Sequence, residues 1–241
     1  MKKLIITQSN YIPWKGYFDG IHLVDELILY DDMQYTKRDW RNRNQIKTRE
    51  GLAWLSIPVE VKGKFFQKIS ETKISDASWA QKHWQTLWHN YRKAPFFDLY
   101  APDLQTLYNR PFTHLSEVNR AFIEQINSFL QIRTPIRWSS EFHLEEERNA
   151  RLISICQQSG ATDYFSGPAA KSYMTVEAFK AAGLQVHWLN YSGYPEYPQG
   201  VGPFEHAVTI LDLLFNTGHD APNYMKSFHH PESLYVSETL S

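Results

Sequence analysis

The chain has 241 residues, 42% of them hydrophobic, and a formal net charge of -1. This excludes a disordered chain and the generally basic surface that broad nucleic-acid binding needs, and leaves room for one large domain or two small ones. Its single cysteine, Cys156, excludes an internal disulfide and any cysteine-rich zinc module.

Only four apolar or β-branched residues separate Met-Lys-Lys from Gln8, too few for a signal-peptide core. No later run approaches the ~18 apolar residues of a transmembrane helix. The expectation is a soluble cytoplasmic protein without membrane insertion. Eight Trp, fourteen Tyr and fourteen Phe supply a solid core and stacking surfaces besides.

In chain order, Leu4-Ile5-Ile6-Thr7 reads as a buried strand and residues 8–13 as a turn. Tyr17, Phe18, Ile21 and Val24 form the apolar stripe of a first helix opened by Pro13. Leu27-Ile28-Leu29-Tyr30 gives a second strand ending at Asp31-Asp32, which completes a βαβ unit by length. Residues 37–49 lack a clean period and are expected as a loop, residues 54–59 as a third strand with Pro58 at an edge, and residues 68–74 as a half-exposed strand.

A helical block follows. Trp84, Leu87, Trp88 and Tyr91 mark one helix, stopped before Pro95. Leu104, Leu107 and Tyr108 mark a second after Pro102, and Leu115, Val118, Phe122, Ile126 and Phe129 a third behind Thr113 as N-cap. Alternation then resumes with strands at 136–138, 163–165 and 184–189, helices at 147–158, 171–182 and 207–215, and a patternless tail after His219. The expected architecture is α/β with a mostly parallel sheet. Residues 1–75 and 133–220 form the core, 76–132 a helical insertion and 221–241 a tail.

In such sheets ligands bind beyond the carboxyl ends of the strands. The residues there are Gln8, Ser9 and Asn10; Asp31, Asp32 and Gln34; Ser139 and Ser140; Ser166 and Gly167; Asn190 and Tyr191. Lys37, Arg38, Arg41, Arg43, Lys47 and Arg49 place six cations in thirteen residues against Asp39 alone. That composition suits phosphate, with Asn42 and Asn44 adding amide bonds and Trp40 a stacking surface. The run also fits a solvated loop paired with Asp31, Asp32 and Glu50. Ser166-Gly167-Pro168 either presents backbone N–H groups to an anion or merely caps a helix. The histidines lack metal-ligand spacing, so no metal is expected, and the cofactor stays open. Phe204-Glu205-His206 opens the last expected helix, which makes His206, beside Asp31, a candidate general base. No Gly-x-Ser-x-Gly elbow supports a covalent mechanism.

Residues 8–18, 31–47, 54–59, 164–173, 194–199 and 204–218 together resemble the WbqC-like family of bacterial proteins, with Thr209 standing where serine is expected. The resemblance implies a place in surface-polysaccharide (O-antigen) biosynthesis, as a transferase acting on a nucleotide- or lipid-linked amino sugar by aminoacyl or acyl transfer. It also adds Lys171 to the ligand-binding candidates. A second resemblance, of fold, is to the nucleotidyltransferase and pantoate-ligase group, a Rossmann-like, HUP-like sheet. Trp14-Lys15-Gly16-Tyr17 stands where that group carries a His-x-Gly-His motif, with both histidines absent.

In the transferase reading, Asp31 or His206 deprotonates an attacking amine. Asn10, Tyr11 and Gly16 shape the first-helix pocket, with Gln8 and Gln34 at the strand edges beside it. Lys37, Arg38, Arg43 and Lys47 hold the phosphate of a partner such as a nucleotide sugar. The alternatives are a non-catalytic nucleotide- or sugar-binding partner of a glycan-assembly enzyme, and a nucleotidyltransferase. The oligomeric state stays open.

Overall fold

The computed structural model describes residues 1–200 and 202–238. Its strands are β1 (Lys3–Thr7), β2 (Glu26–Leu29), β3 (Arg43–Thr48), β4 (Gly51–Ser56), β5 (Ile136–Trp138), β6 (Asp163–Ser166), β7 (Gln185–Leu189) and β8 (Tyr235–Ser237). Its helices are α1 (Lys15–Leu23), α2 (Trp79–Tyr91), α3 (Phe97–Tyr108), α4 (Leu115–Phe129), α5 (Arg148–Gln158), α6 (Val176–Ala181) and α7 (Ile210–Thr217). Six strands form one sheet in the order β5-β2-β1-β6-β7-β8, parallel except for β8.

Period-two burial divides the apolar runs between two cores, as strands covered on both faces require. Ile5, Leu27, Leu29, Phe165 and Leu189 point to the face packed by α1, α4 and α7, and α2 and α3 extend the same core. Leu4, Ile6, Ile28, Tyr164 and Val186 point to the other face, covered by α5 and α6. From β1 the chain steps outward to β2 and β5, then returns to β6 and β7 on the other side. The winding thus reverses between β1 and β6, the place where doubly wound sheets open a crevice.

The expected mostly parallel α/β sheet is present. Several local expectations are corrected. Half of the run predicted as a loop is strand: β3 and β4 pair antiparallel as a separate hairpin. Residues 68–74 make only isolated bridges, from Lys68 to Gln34, Lys73 to His114 and Ile74 to Val59. Pro102 lies inside α3 rather than before it. The N-cap of α4 is His114, not Thr113, because Glu117 reaches back to both backbone N–H groups. The helix expected at 171–182 is a 3-10 turn over Pro168–Ser172 followed by the short α6. The patternless tail is ordered through residue 238: Asp19 of α1 accepts the N–H groups of Lys226 and Ser227 at 3.0 and 2.9 Å, and β8 closes the sheet edge. Residues 239–241 of that tail lie outside the described residues. Among the described residues no helix is long and apolar enough to cross a membrane.

Tyr11, wholly buried, joins the turn after β1 to the helical block. Its hydroxyl lies 2.9 Å from His83 Nδ1 and 2.6 Å from the Tyr108 hydroxyl. His83 Nε2 lies 3.2 Å from the Ser56 carbonyl, which only accepts, so the ring is neutral with its proton on Nε2. Burial pushes the His83 pKa down to about 4, partly offset by the Ser56 carbonyl.

Two expectations follow. Gly218 ends α7 at φ 58, and a Cβ there would meet the Phe96 ring at 2.4 Å. Gly218→Ala should therefore cost about 2 kcal/mol, read from urea midpoints. For His83 the folded pKa lies below the unfolded one, so the unfolded state binds the extra proton and stability falls as pH drops from about 6.5 to about 4. Wild type should lose about 3 kcal/mol from this group across that window, and His83→Gln should flatten the curve there in denaturation series at stepped pH.

Candidate functional site

The turn after β1 is held by a buried acid. The Ser9 N–H donates to Asp31 Oδ1 at 2.8 Å, and the hydroxyls of Ser9 and Ser116 both donate to Oδ2 at 2.7 Å. Asn119 Nδ2 donates to Ser9 Oγ at 3.0 Å and to the Arg41 carbonyl at 2.9 Å. Burial pushes the Asp31 pKa up, and these hydrogen bonds pull against it. Asp31, expected as a general base, lines neither cavity described below, and both of its oxygens already accept protons from fixed donors.

With Ser9 fixed, its neighbours form a fork. Gln8 Oε1 accepts from Arg41 Nε at 2.7 Å and from a second guanidinium nitrogen, and Asn10 Oδ1 accepts from the third at 3.1 Å. Beyond it Ile12 sits at φ 36, a left-handed conformation costing a β-branched residue about 1–3 kcal/mol. Asn44 Nδ2 steadies it by donating to the carbonyls of Tyr11 and Ile12 at 3.2 and 2.8 Å. Gly16 is required by contact, because a Cβ there would lie 2.3 Å from the Trp14 ring. Tyr11 and Gly16 thus shape the loop from within, and neither lines a cavity.

The main cavity, about 740 Å³, opens at the carboxyl ends of β1, β2, β6 and β7, where the winding reverses. Gln8, Gln34, Ser166 and Gly167 line it as the sequence predicts. Arg41, Arg148 and Arg151 bring three guanidinium groups to its wall, with Glu146 as the lone lining carboxylate. Arg148 stacks 4.6 Å over Tyr173, while Arg151 donates to the carbonyls of Glu145 and Glu146 and lies 3.4 Å from the Tyr30 hydroxyl. Tyr17, Tyr30, Tyr164, Tyr173 and Tyr191 surround the space. Burial pushes the phenols of Tyr17, Tyr30 and Tyr164 up, and that of Tyr191 up to about 12, so these act as neutral donors rather than bases. The N-terminus of α5 is already capped by Glu147, which accepts from the Ala150 N–H at 2.7 Å. Its contribution to the cavity is therefore the arginine pair.

A second cavity of about 280 Å³ is lined by Asn10, Pro13, Trp14, Trp40, Asn44, His206 and Ala207. Asn10 lines this cavity and Gln8 the main one, and Arg41 is bonded to both. His206 does not open the last helix. Thr209 caps α7, its hydroxyl accepting from the Leu211 N–H at 3.3 Å, and His206 stands in the irregular segment before it.

The basic run is dispersed. Lys47 is buried, donating to Gln199 Oε1 at 3.2 Å and the Pro203 carbonyl at 2.7 Å. Arg43 stacks 4.1 Å over Trp54, and Asn42 Nδ2 donates to the Ile57 carbonyl at 2.9 Å. Lys37 and Arg38 are exposed, and Lys171 lies 5.4 Å over the Trp188 ring. None of these six lines either cavity. Arg148 and Arg151 were missed by sequence reasoning, yet a signal was there: two cations in the first turn of a helix oppose its dipole and call for an anion nearby. Lys15 lines no cavity either. It donates to the Pro195 carbonyl at 2.9 Å between the rings of Tyr194 and Tyr197, and burial pulls its pKa down to about 8.

The model of the WbqC-like protein family matches residues 8–224. An uncharacterized protein of Mycobacterium tuberculosis (strain ATCC 25618 / H37Rv) is 51% identical over 227 residues, covering 94% of this chain and 98% of that protein. No solved structure gives a significant match. The family match takes in the Arg41 fork and the lining residues of both cavities other than Ile5, Ile6 and Thr7. The chain belongs to the WbqC-like protein family.

Proposed function

We propose that the protein is a transferase that holds the phosphates of a nucleotide- or lipid-linked amino sugar in the main cavity and moves an aminoacyl or acyl group from an activated ester or thioester donor to the sugar's amine. The C–N bond forms as the donor's C–O or C–S bond breaks, and its alcohol or thiol leaves with the amine's proton. The observation that carries this reading is the set of three arginines and five tyrosines around one space of about 740 Å³ at the reversal of winding. Guanidinium forks bind phosphate oxygens two at a time, and tyrosine rings stack on a base. The strand order agrees with the Rossmann-like, nucleotidyltransferase-type arrangement that the sequence suggests, although Trp14 and Tyr17 stand where that group's histidines would be. The second cavity, walled by Trp14 and Trp40, suits a sugar ring, whose apolar faces stack on indoles. His206 there is the general base for the amine, and Asp31 positions the turn through Ser9. A second reading, a binding partner of a glycan-assembly enzyme without activity of its own, is favoured by the engaged oxygens of Asp31 and the neutral phenols, which leave only Glu146 and His206 among the described lining residues as bases.

Calorimetric titration with nucleoside-diphosphate amino sugars tests the site. Arg148→Ala and Arg151→Ala should each weaken binding by about tenfold or more. Arg43→Ala, which only unstacks Trp54, should leave it unchanged, and an equal loss there would sink the assignment. His206→Ala should keep affinity but abolish the mass gain of an acylated sugar nucleotide in the mass spectrum. Binding by wild type with no mass gain from any aminoacyl or acyl donor would decide for the binding partner.

A further inference from the structure

We propose that the turn carrying Phe65 and Phe66 docks the protein onto an anionic lipid surface, with the mouth of the main cavity beside the contact. The two rings are 69% and 83% exposed and meet edge to face, 4.9 Å between centroids. They sit next to each other at the tip of a turn, beyond Gly63 at φ 74, and neither lines a cavity. Two large apolar side chains held in water on a protruding tip cost hydration free energy that only a partner recovers.

The chemistry around the tip selects that partner. Lys62, Lys64, Lys68 and Lys73 are exposed in the same stretch, against Glu60 and Glu71. Lys64 is paired with Glu60, and Lys68 lies 3.2 Å from Asp32. Lys37 and Arg38, both exposed, follow Tyr35, whose N–H donates to the Gln67 carbonyl at 2.9 Å, so their loop lies alongside. The balance is cationic. A convex pair of rings ringed by lysines fits a deformable interface with negative headgroups, where rings settle at headgroup depth and each nearby cation strengthens binding by about fivefold. A folded protein partner would need a socket matched to the tip.

The tip is also tied to the site. Gln34, which lines the main cavity, donates through Nε2 to the Phe65 carbonyl at 2.8 Å and bridges Lys68. Docking would set the cavity rim at the lipid surface. The proposed contact is a shallow, two-ring one at headgroup depth, with no helix long and apolar enough to cross a membrane among the described residues. The inference stands on this turn alone and does not require the transferase reading.

Co-sedimentation of the full chain with extruded vesicles tests it. Wild type should pellet with phosphatidylcholine–phosphatidylglycerol vesicles, weakly with phosphatidylcholine alone, and less as salt is raised. The double variant Phe65→Ser/Phe66→Ser should lower binding by about tenfold or more. Leu99→Ser, at a 44% exposed residue of α3, should not change it. Circular dichroism should superimpose for all three proteins. The proposal is overturned if wild type stays in the supernatant, if the double variant pellets equally, or if neutral and anionic vesicles bind alike. It is also overturned if the double variant only converts a dimer to a monomer in sedimentation velocity while no form binds vesicles, which would assign the rings to self-association.

Discussion

Asp31 has 2% of its surface exposed and is held by hydrogen bonds, accepting from Ser9 twice and from Ser116 once, with the charge of Arg41 as a weaker aid. Burying a carboxylate disfavours its charge, and the upward push on its pKa says that burial outweighs the three hydrogen bonds. Each donor is for that reason costly to remove, about 1–3 kcal/mol for a charged group left short of a partner. The clasp joins the carboxyl ends of β1 and β2 to α4, and Asn119 extends it to the backbone of Arg41. The residues on either side of Ser9 then have one arrangement, with Gln8 and Asn10 both spent on the Arg41 guanidinium. That guanidinium, mostly buried and bonded to one residue of each cavity, is fixed in place before any ligand arrives, which is the condition under which a charged donor contributes most.

The parallel strands were legible as short continuous apolar runs, buried on both faces, and the long helices by their periodic apolar stripes. Runs such as Leu27 to Leu29 and the stripe from Leu115 to Ile126 announce themselves by hydrophobicity. The β3–β4 hairpin was not, for a physical reason. Its buried positions include Asn44 and Lys47, whose polar ends are satisfied by Tyr11, Ile12, Gln199 and Pro203, and such partners leave no mark in the local pattern. The basic run misled in the same way. Read along the chain it is one cluster, but in β3 Arg43 and Lys47 stand four residues apart and meet different neighbours, the Trp54 ring at one end and Gln199 and Pro203 at the other, while Arg41, ahead of β3, alone reaches the crevice. The tail failed to show because it docks through backbone N–H groups on Asp19, which any residue type could supply.

What the sequence presented as one site is two spaces that share a segment. Between β7 and α7 the described residues, 190–200 and 202–209, form no helix or strand, and Tyr191 from the start lines the main cavity while His206 and Ala207 from the end line the second. An irregular segment leaves carbonyl groups without helix or sheet partners, and this one alternates buried residues such as Tyr194, Tyr197 and Gln199 with exposed ones. Here three lysines supply the donors. Lys226 holds the carbonyls of Asn190 and Ser192, Lys15 that of Pro195, and Lys47 that of Pro203. Each comes from a different element, so the segment is pinned to α1, to the hairpin and to the C-terminal stretch at once.

Burying an ammonium group is expensive, and the lowered pKa values of Lys15 and Lys226, both caused first by burial, measure that expense. A neutral donor such as Asn costs less to bury but has two N–H groups, as Asn44 uses on Tyr11 and Ile12, whereas the Lys226 ammonium reaches the three carbonyls of Asn190, Ser192 and Ser233. The lysines therefore exchange stability for position. They fix the path of the segment that carries Tyr191 to the main cavity and His206 to the second. The same logic explains why Lys15 faces away from the crevice: its amine is committed to the Pro195 carbonyl between two tyrosine rings, and the cations that line the crevice are Arg41, Arg148 and Arg151.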